Sequence, residues 1–160
     1  MATTGPAFEV VLAAHVVSAV VGFGSIVVTG GYAHLAGSRG DGPSEPVRRY
    51  FRPGPNLVSR LIFLVPVLGL ALAGLGAADD LSQPWLWAGS GLWVLACILA
   101  EGVLWPAETR IQRLTHLPAG PGADRSELAV ASRRASRSAA VIDLCFVAAL
   151  VIMIGRPGGH

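Results

Sequence analysis

The stretch Phe8-Glu-Val-Val-Leu-Ala-Ala-His15-Val-Val-Ser18-Ala-Val-Val-Gly22-Phe-Gly-Ser-Ile-Val-Val-Thr29-Gly-Gly-Tyr-Ala-His34-Leu35 holds one charged side chain, Glu9, and no lysine or arginine. A helix needs about 20 mostly apolar residues to cross the ~30 Å hydrocarbon core of a bilayer, and this run exceeds that length. A secretory leader has a positively charged start and a shorter apolar core, so the run reads as a retained first membrane helix. Three more segments share its character: Leu57 to Ala78, Pro84 to Trp105 and Ala139 to Gly155. Pro53-Gly-Pro-Asn56 precedes the second, and Ser82-Gln-Pro84 opens the third with proline in the first turn. Gly155-Arg156-Pro157 stops the fourth. The pattern predicts an all-α, polytopic membrane fold in a single domain, 1–160. Its four transmembrane helices run up and down as a bundle at 8–35, 57–78, 84–105 and 139–155, with long connections at 36–56 and 106–138.

Composition supports the same class. Of 160 residues, 52% are hydrophobic and 14% charged, against about 25% charged in soluble domains. Mean hydropathy is +0.58. Ten acids and twelve bases are too few to clothe a water-soluble globule. The apolar content is far too high for a disordered chain. No nucleic-acid partner is expected, and the lipid bilayer is the first partner implied.

Every basic residue is an arginine, and eleven of the twelve fall in two places. Arg39, Arg48, Arg49, Arg52 and Arg60 occupy the first connection and the start of the second helix. Arg110, Arg113, Arg125, Arg133, Arg134 and Arg137 occupy the third connection and the approach to the fourth helix. The short turn between helices two and three carries Asp79 and Asp80 instead. The positive-inside bias predicts that 36–56 and 106–138 are cytoplasmic and both termini outside, in a bacterial inner membrane. Trp85 and Trp105 lie twenty residues apart, about 30 Å of helix, and are expected as interfacial anchors. Asp124-Arg-Ser-Glu127 has capping-box spacing. The fourth helix is therefore expected to begin near Arg125 and to outreach the bilayer by roughly 16 Å. Ala107–Leu117 reads as an amphipathic continuation of the third helix.

Helices in lipid approach one another through small residues. Ala14, Ser18 and Gly22 form one such ridge and Gly69, Ala73 and Ala77 another, while Pro66 is expected to bend the second helix. Cys97 and Cys145 sit in apolar runs, where cysteine acts as a small hydrophobe, and no Cys/His metal spacing occurs.

Ionisable groups at membrane depth are costly and mark helix contacts or conduction paths. Arg60, Glu101 and Asp143 fall at a similar inner-leaflet depth. They read either as an ion pair locking helices together, which is the favoured reading, or as a proton or cation relay. His15 lies two turns into the first helix beside Ser18, Ala19 and Gly22. A neutral imidazole there suits a haem iron or copper ligand, or a plain interhelical hydrogen bond. His34 is nineteen residues further on, about 28 Å along the helix, and cannot share a metal with it. His116 and His160 belong to no metal motif and are expected to be solvated.

The segment His15-Val-Val-Ser-Ala-Val-Val-Gly-Phe-Gly-Ser25 resembles the first-helix opening of copper-resistance-D-like membrane proteins and HemJ-type protoporphyrinogen oxidases. Ser59-Arg60-Leu-Ile, Asp80-Leu-Ser-Gln-Pro-Trp-Leu-Trp87 and Leu104-Trp-Pro106 are similar to an uncharacterised group of bacterial integral membrane proteins near them. The resemblance implies a four-helix fold and, through the HemJ-type relatives, haem b on His15. The chain departs from those relatives in having no lysine, no further histidine in helices two to four, and only Met1 and Met153. Three functions follow. The favoured one is a non-catalytic membrane component, either a homo-oligomer or an accessory subunit of a larger complex. The others are a haem b-binding redox protein using His15 and a small proton or cation transporter using Glu101 and Asp143.

Overall fold

The computed structural model describes residues 5–38, 42–75, 83–116 and 123–155, without the side chains of Ala123 and Asp124. All described elements are helical. Helix α1 is Pro6–Ser38 and α2 is Glu45–Tyr50. A 3₁₀ turn, Ser59–Phe63, leads into α3, Leu64–Leu75. Helix α4, Pro84–Leu99, passes through a π-helical segment, Ala100–Leu104, into α5, Trp105–His116. Helix α6 is Ala123–Gly155.

Three helical stretches are long and apolar enough to cross a membrane: Pro6–Ser38, Pro84–His116 and Arg125–Gly155, of 33, 33 and 31 residues. At 1.5 Å per residue each measures about 46–50 Å, so all three outreach the hydrocarbon core, α1 included. The Ser59–Leu75 helix is shorter. The last three residues of the expected 57–78 span, Ala77 among them, lie outside the described residues, as does the Arg156-Pro157 stop. The Asp124 cap concerns a side chain that is not described.

Two prolines shape the backbone. Pro66 has no N–H to return to the Ile62 carbonyl, and the turn before it tightens to 3₁₀. Pro106 has none for Gly102, and its ring would press on that carbonyl. There the helix widens instead, with the Trp105 N–H bonded to the Ala100 carbonyl five residues back. This widening lets α4 run into α5 across the proline.

The chain forms two compact units. The first contains the start of α1, the 57–75 segment, α4 as far as Cys97 and the end of α6 from Leu144. Within it, a Cβ on Gly22 would stand 2.9 Å from the Ile62 backbone nitrogen, and one on Gly69 3.3 Å from His15 Cε1. These two contacts are seven residues apart on each segment and run in opposite directions, so α1 is antiparallel to the 3₁₀ turn and α3. Phe23 stacks on Phe146 at 4.3 Å. Gly89 receives the Met153 methyl group at 3.2 Å.

The second unit contains the rest of α1, residues 42–56, the chain from Ile98 to His116 and the start of α6. Its core includes Ile26, Phe51, Leu104, Ile111 and Ile142, all fully buried. A Cβ on Gly30 would meet Ala139 Cβ at 2.7 Å, and one on Gly37 would meet Ser132 Cβ at 2.8 Å. Again the step is seven residues and the helices are antiparallel.

Large apolar side chains cover much of the exterior. Val67, Leu70, Leu144, Val151 and Ile154 are all more than half exposed, a surface suited to lipid and not to water. Trp105 departs from the sequence expectation, because it is 6% exposed and belongs to the interior, whereas Trp87 at 68% is the outward-facing tryptophan. The twist that places Trp105 inside coincides with the π segment just before it. Cys97 and Cys145 are buried and are not joined in a disulfide.

Candidate functional site

His15 is the one imidazole described in the first unit. It occupies the third turn of α1, opposite the side of α3 where Gly69 presents no side chain, with Nδ1 3.7 Å from the Gly69 Cβ position. The ring is hydrogen-bonded to the Val65 backbone, while Nδ1 is buried with no hydrogen-bond partner. Ser18 and Ala19, one turn on, are each 9% exposed. A ring that donates one N–H to a carbonyl and keeps the other nitrogen bare is set up as most metal-bound histidines are. Of the expected packing ridges, Ser18 is buried and Gly22 touches the 3₁₀ turn at Leu61 and Ile62, Ala14 is exposed, and Gly69 and Ala73 are half-buried.

The charged trio is distributed over both units. Arg60 lies in the 3₁₀ turn of the first, and its side chain is exposed. Glu101 and Asp143 belong to the second. Glu101 sits in the π segment with an exposed side chain. Asp143 is half-buried, and its Oδ1 has no hydrogen-bond partner. Among the described residues, no three His, Cys, Asp or Glu side chains gather as a metal site.

The densest polar arrangement lies in the second unit, and the sequence reading passed over it. Thr29 Oγ1 and the Tyr50 hydroxyl share a 2.7 Å hydrogen bond, and Asn56 Nδ2 donates to the same Thr29 oxygen at 3.4 Å. Tyr32 stacks on Tyr50 at 4.3 Å, and Phe51 meets Tyr50 edge-on at 5.1 Å. From α5, Gln112 Nε2 donates to the Gly54 carbonyl at 3.0 Å, and His116 Nε2 donates to the Phe51 carbonyl at 3.0 Å. His116 is exposed, as expected, and is also tied to the 42–56 connection. Glu108, 5% exposed, acts electrostatically on Tyr50. Burial pushes the Tyr50 phenol above its ordinary range, with the Thr29 hydrogen bond opposing and the Glu108 charge adding to the rise.

These bonds hold residues 42–56 as a fixed platform whose Arg48, Arg49 and Arg52 side chains point outward. The signal was available: Glu108, Ile111, Gln112 and Thr115 recur at three- and four-residue steps and form the buried face of α5. An ion pair joins α5 to α6, where Arg110 and Glu127 meet at 3.1 Å.

The family model described as "Predicted integral membrane protein (DUF2269)" matches residues 9–157. No curated protein and no solved structure matches the chain.

Proposed function

The chain belongs to the DUF2269 family of predicted integral membrane proteins, and we propose that it serves as a non-catalytic membrane component, assembling with copies of itself or as a small subunit of a larger complex. Glu101 carries this reading. Its carboxylate is exposed within the stretch expected to cross the membrane, and Gly91, Val94 and Ile98 lie on the same face, all exposed. Gly91 has nothing within 4 Å of its Cβ position, so another backbone can come close. A charge facing outward at that depth is costly in lipid and is relieved by a neighbouring protein surface.

The reading includes four crossings, both termini outside and the arginine-bearing connections in the cytoplasm of a bacterial cell. Ser59–Leu75 supports the fourth crossing, since five 3₁₀ residues and twelve α-helical residues together rise about 28 Å. The test is the mass of the protein in native lipid nanodiscs, with cross-linking through Ile98→Cys. A defined species above the monomer, cross-linked at that position and weakened by Glu101→Gln, is the expected result. A monomer at every concentration, with nothing co-purifying from native membranes, would end the proposal.

A second reading rests on the bare Nδ1 of His15. The imidazole fits an axial ligand of haem b held in the membrane, with any further ligand supplied by another chain. A Soret band that disappears in His15→Ala supports it, and a colourless protein from haem-replete cells removes it.

A further inference from the structure

Between the π segment and α5 on one side and the start of α6 on the other runs a groove of about 610 Å³. Gly102, Val103 and Val130 line it, together with Arg110, Glu127 and Arg134. We propose that this groove binds one anionic phospholipid, with its phosphodiester between Arg110 and Arg134 and the first methylenes of an acyl chain along Gly102, Val103 and Val130.

The groove changes character along its length in the way a lipid does. Gly102 and Val103 lie in the stretch that crosses the membrane, and Gly102 has nothing within 4 Å of its Cβ position. That leaves room for a chain against the helix backbone. Arg134 precedes the apolar run at Ala139 by five residues, which is about 7.5 Å of helix and places its guanidinium at headgroup depth. Arg110 reaches the same groove from α5.

The charge also fits. Two guanidiniums and one carboxylate leave one positive charge uncompensated, matching the single negative charge of a phosphodiester. Glu127 Oε1 holds Arg110 Nη2 at 3.1 Å, while Arg134 has no ion-pair or hydrogen-bond partner among the described residues. Arg134 therefore supplies the vacant fork and Arg110 the second contact. Arginine suits both roles through its planar pair of donors. A basic pocket between membrane helices at the headgroup level is a recognised form of anionic-lipid site.

The experiment uses the full chain in a neutral detergent, titrated with phosphatidylglycerol, with phosphatidylcholine of the same chains, and with glycerol phosphate. Thermal unfolding and native mass spectrometry give the readout. Phosphatidylglycerol is expected to raise Tm and remain bound one per chain, while the other two do neither. Arg134→Gln should weaken phosphatidylglycerol about tenfold, as the loss of a charged hydrogen bond would. Arg133→Gln, exposed on the same helix and outside the groove lining, should leave binding unchanged. Glu127→Gln should tighten it by releasing Arg110, which keeps a gain of binding as a second criterion if Arg134→Gln misfolds. Equal effects of the two phospholipids, an effect of glycerol phosphate alone, or equal losses in Arg133→Gln and Arg134→Gln would overturn the site.

Discussion

The indole of Trp93 donates a 2.9 Å hydrogen bond to the carbonyl of Ile62, the backbone group that Pro66 leaves without its usual helical donor. A side chain on α4 thus completes the helix that the proline interrupts.

Trp93→Phe keeps an aromatic ring and removes the donor. It is expected to lower stability by about 1–2 kcal/mol, the cost of one unsatisfied buried carbonyl. Pro66→Ala restores an N–H at the right position, so the double variant should recover most of the loss. A double-mutant cycle in detergent, read by unfolding in SDS, measures this, and strictly additive effects would exclude the relationship.

Gly30 of α1 packs against Ala139 of α6. Adding one methyl at Gly30 gives a 2.7 Å approach between two Cβ atoms that cannot rotate away, and Gly30→Ala should cost about 1–3 kcal/mol through overpacking. Gly30→Ala with Ala139→Gly moves the methyl from one helix to the other and should regain the original melting temperature. Failure of that rescue would place the cost elsewhere.

Tyr50 is expected to ionise above the ordinary phenol value of about 10, because burial disfavours its charged form. A raised folded-state value means the stabilisation is complete below the unfolded value and is lost as pH climbs through the folded one. Ultraviolet difference titration of Tyr32→Phe, which leaves Tyr50 as the chain's one tyrosine, reads its ionisation directly. Tyr50→Phe should remove that part of the alkaline destabilisation.

Asp143 carries a buried carboxylate oxygen with no hydrogen bond. Asp143→Val should raise stability by about 1 kcal/mol or more, since an unsatisfied polar group is replaced by an apolar one. A fall in stability would instead reveal a partner and favour the ion-pair reading with Arg60 and Glu101.

The membrane class and the helical stretches were legible because hydrocarbon thickness fixes a minimum apolar length, and Phe8–Leu35 meets it without any knowledge of contacts. The overlong α6 was legible from Asp124-Arg-Ser-Glu127 and the arginines after it. The overlong α1 was not, because Thr29-Gly-Gly-Tyr-Ala-His34 is still apolar enough to read as membrane. The packing residues were found only in part. Ala14, Ser18 and Gly22 share a four-residue spacing, whereas the close contacts of α1 with α6 fall at Gly30 and Gly37, a seven-residue step toward a different partner helix. The seat of the 42–56 connection was missed because its hydrogen bonds join residues up to 65 apart in sequence, and no local pattern couples His116 to Phe51. Trp105 was misread because a proline-induced π turn reorients the side chains that follow it.

The repeat of close contacts along α1 has a consequence for how such a chain can change length. Gly30 and Gly37 face Ala139 and Ser132 at one matching interval, so inserting or deleting one residue between them turns everything beyond by about 100°. Gly37 would then look away from its seat, and Ala36 after an insertion, or Ser38 after a deletion, would press its side chain on Ser132. Variation in the length of this helix pair is therefore confined to whole heptads, or to the connections outside the paired stretch.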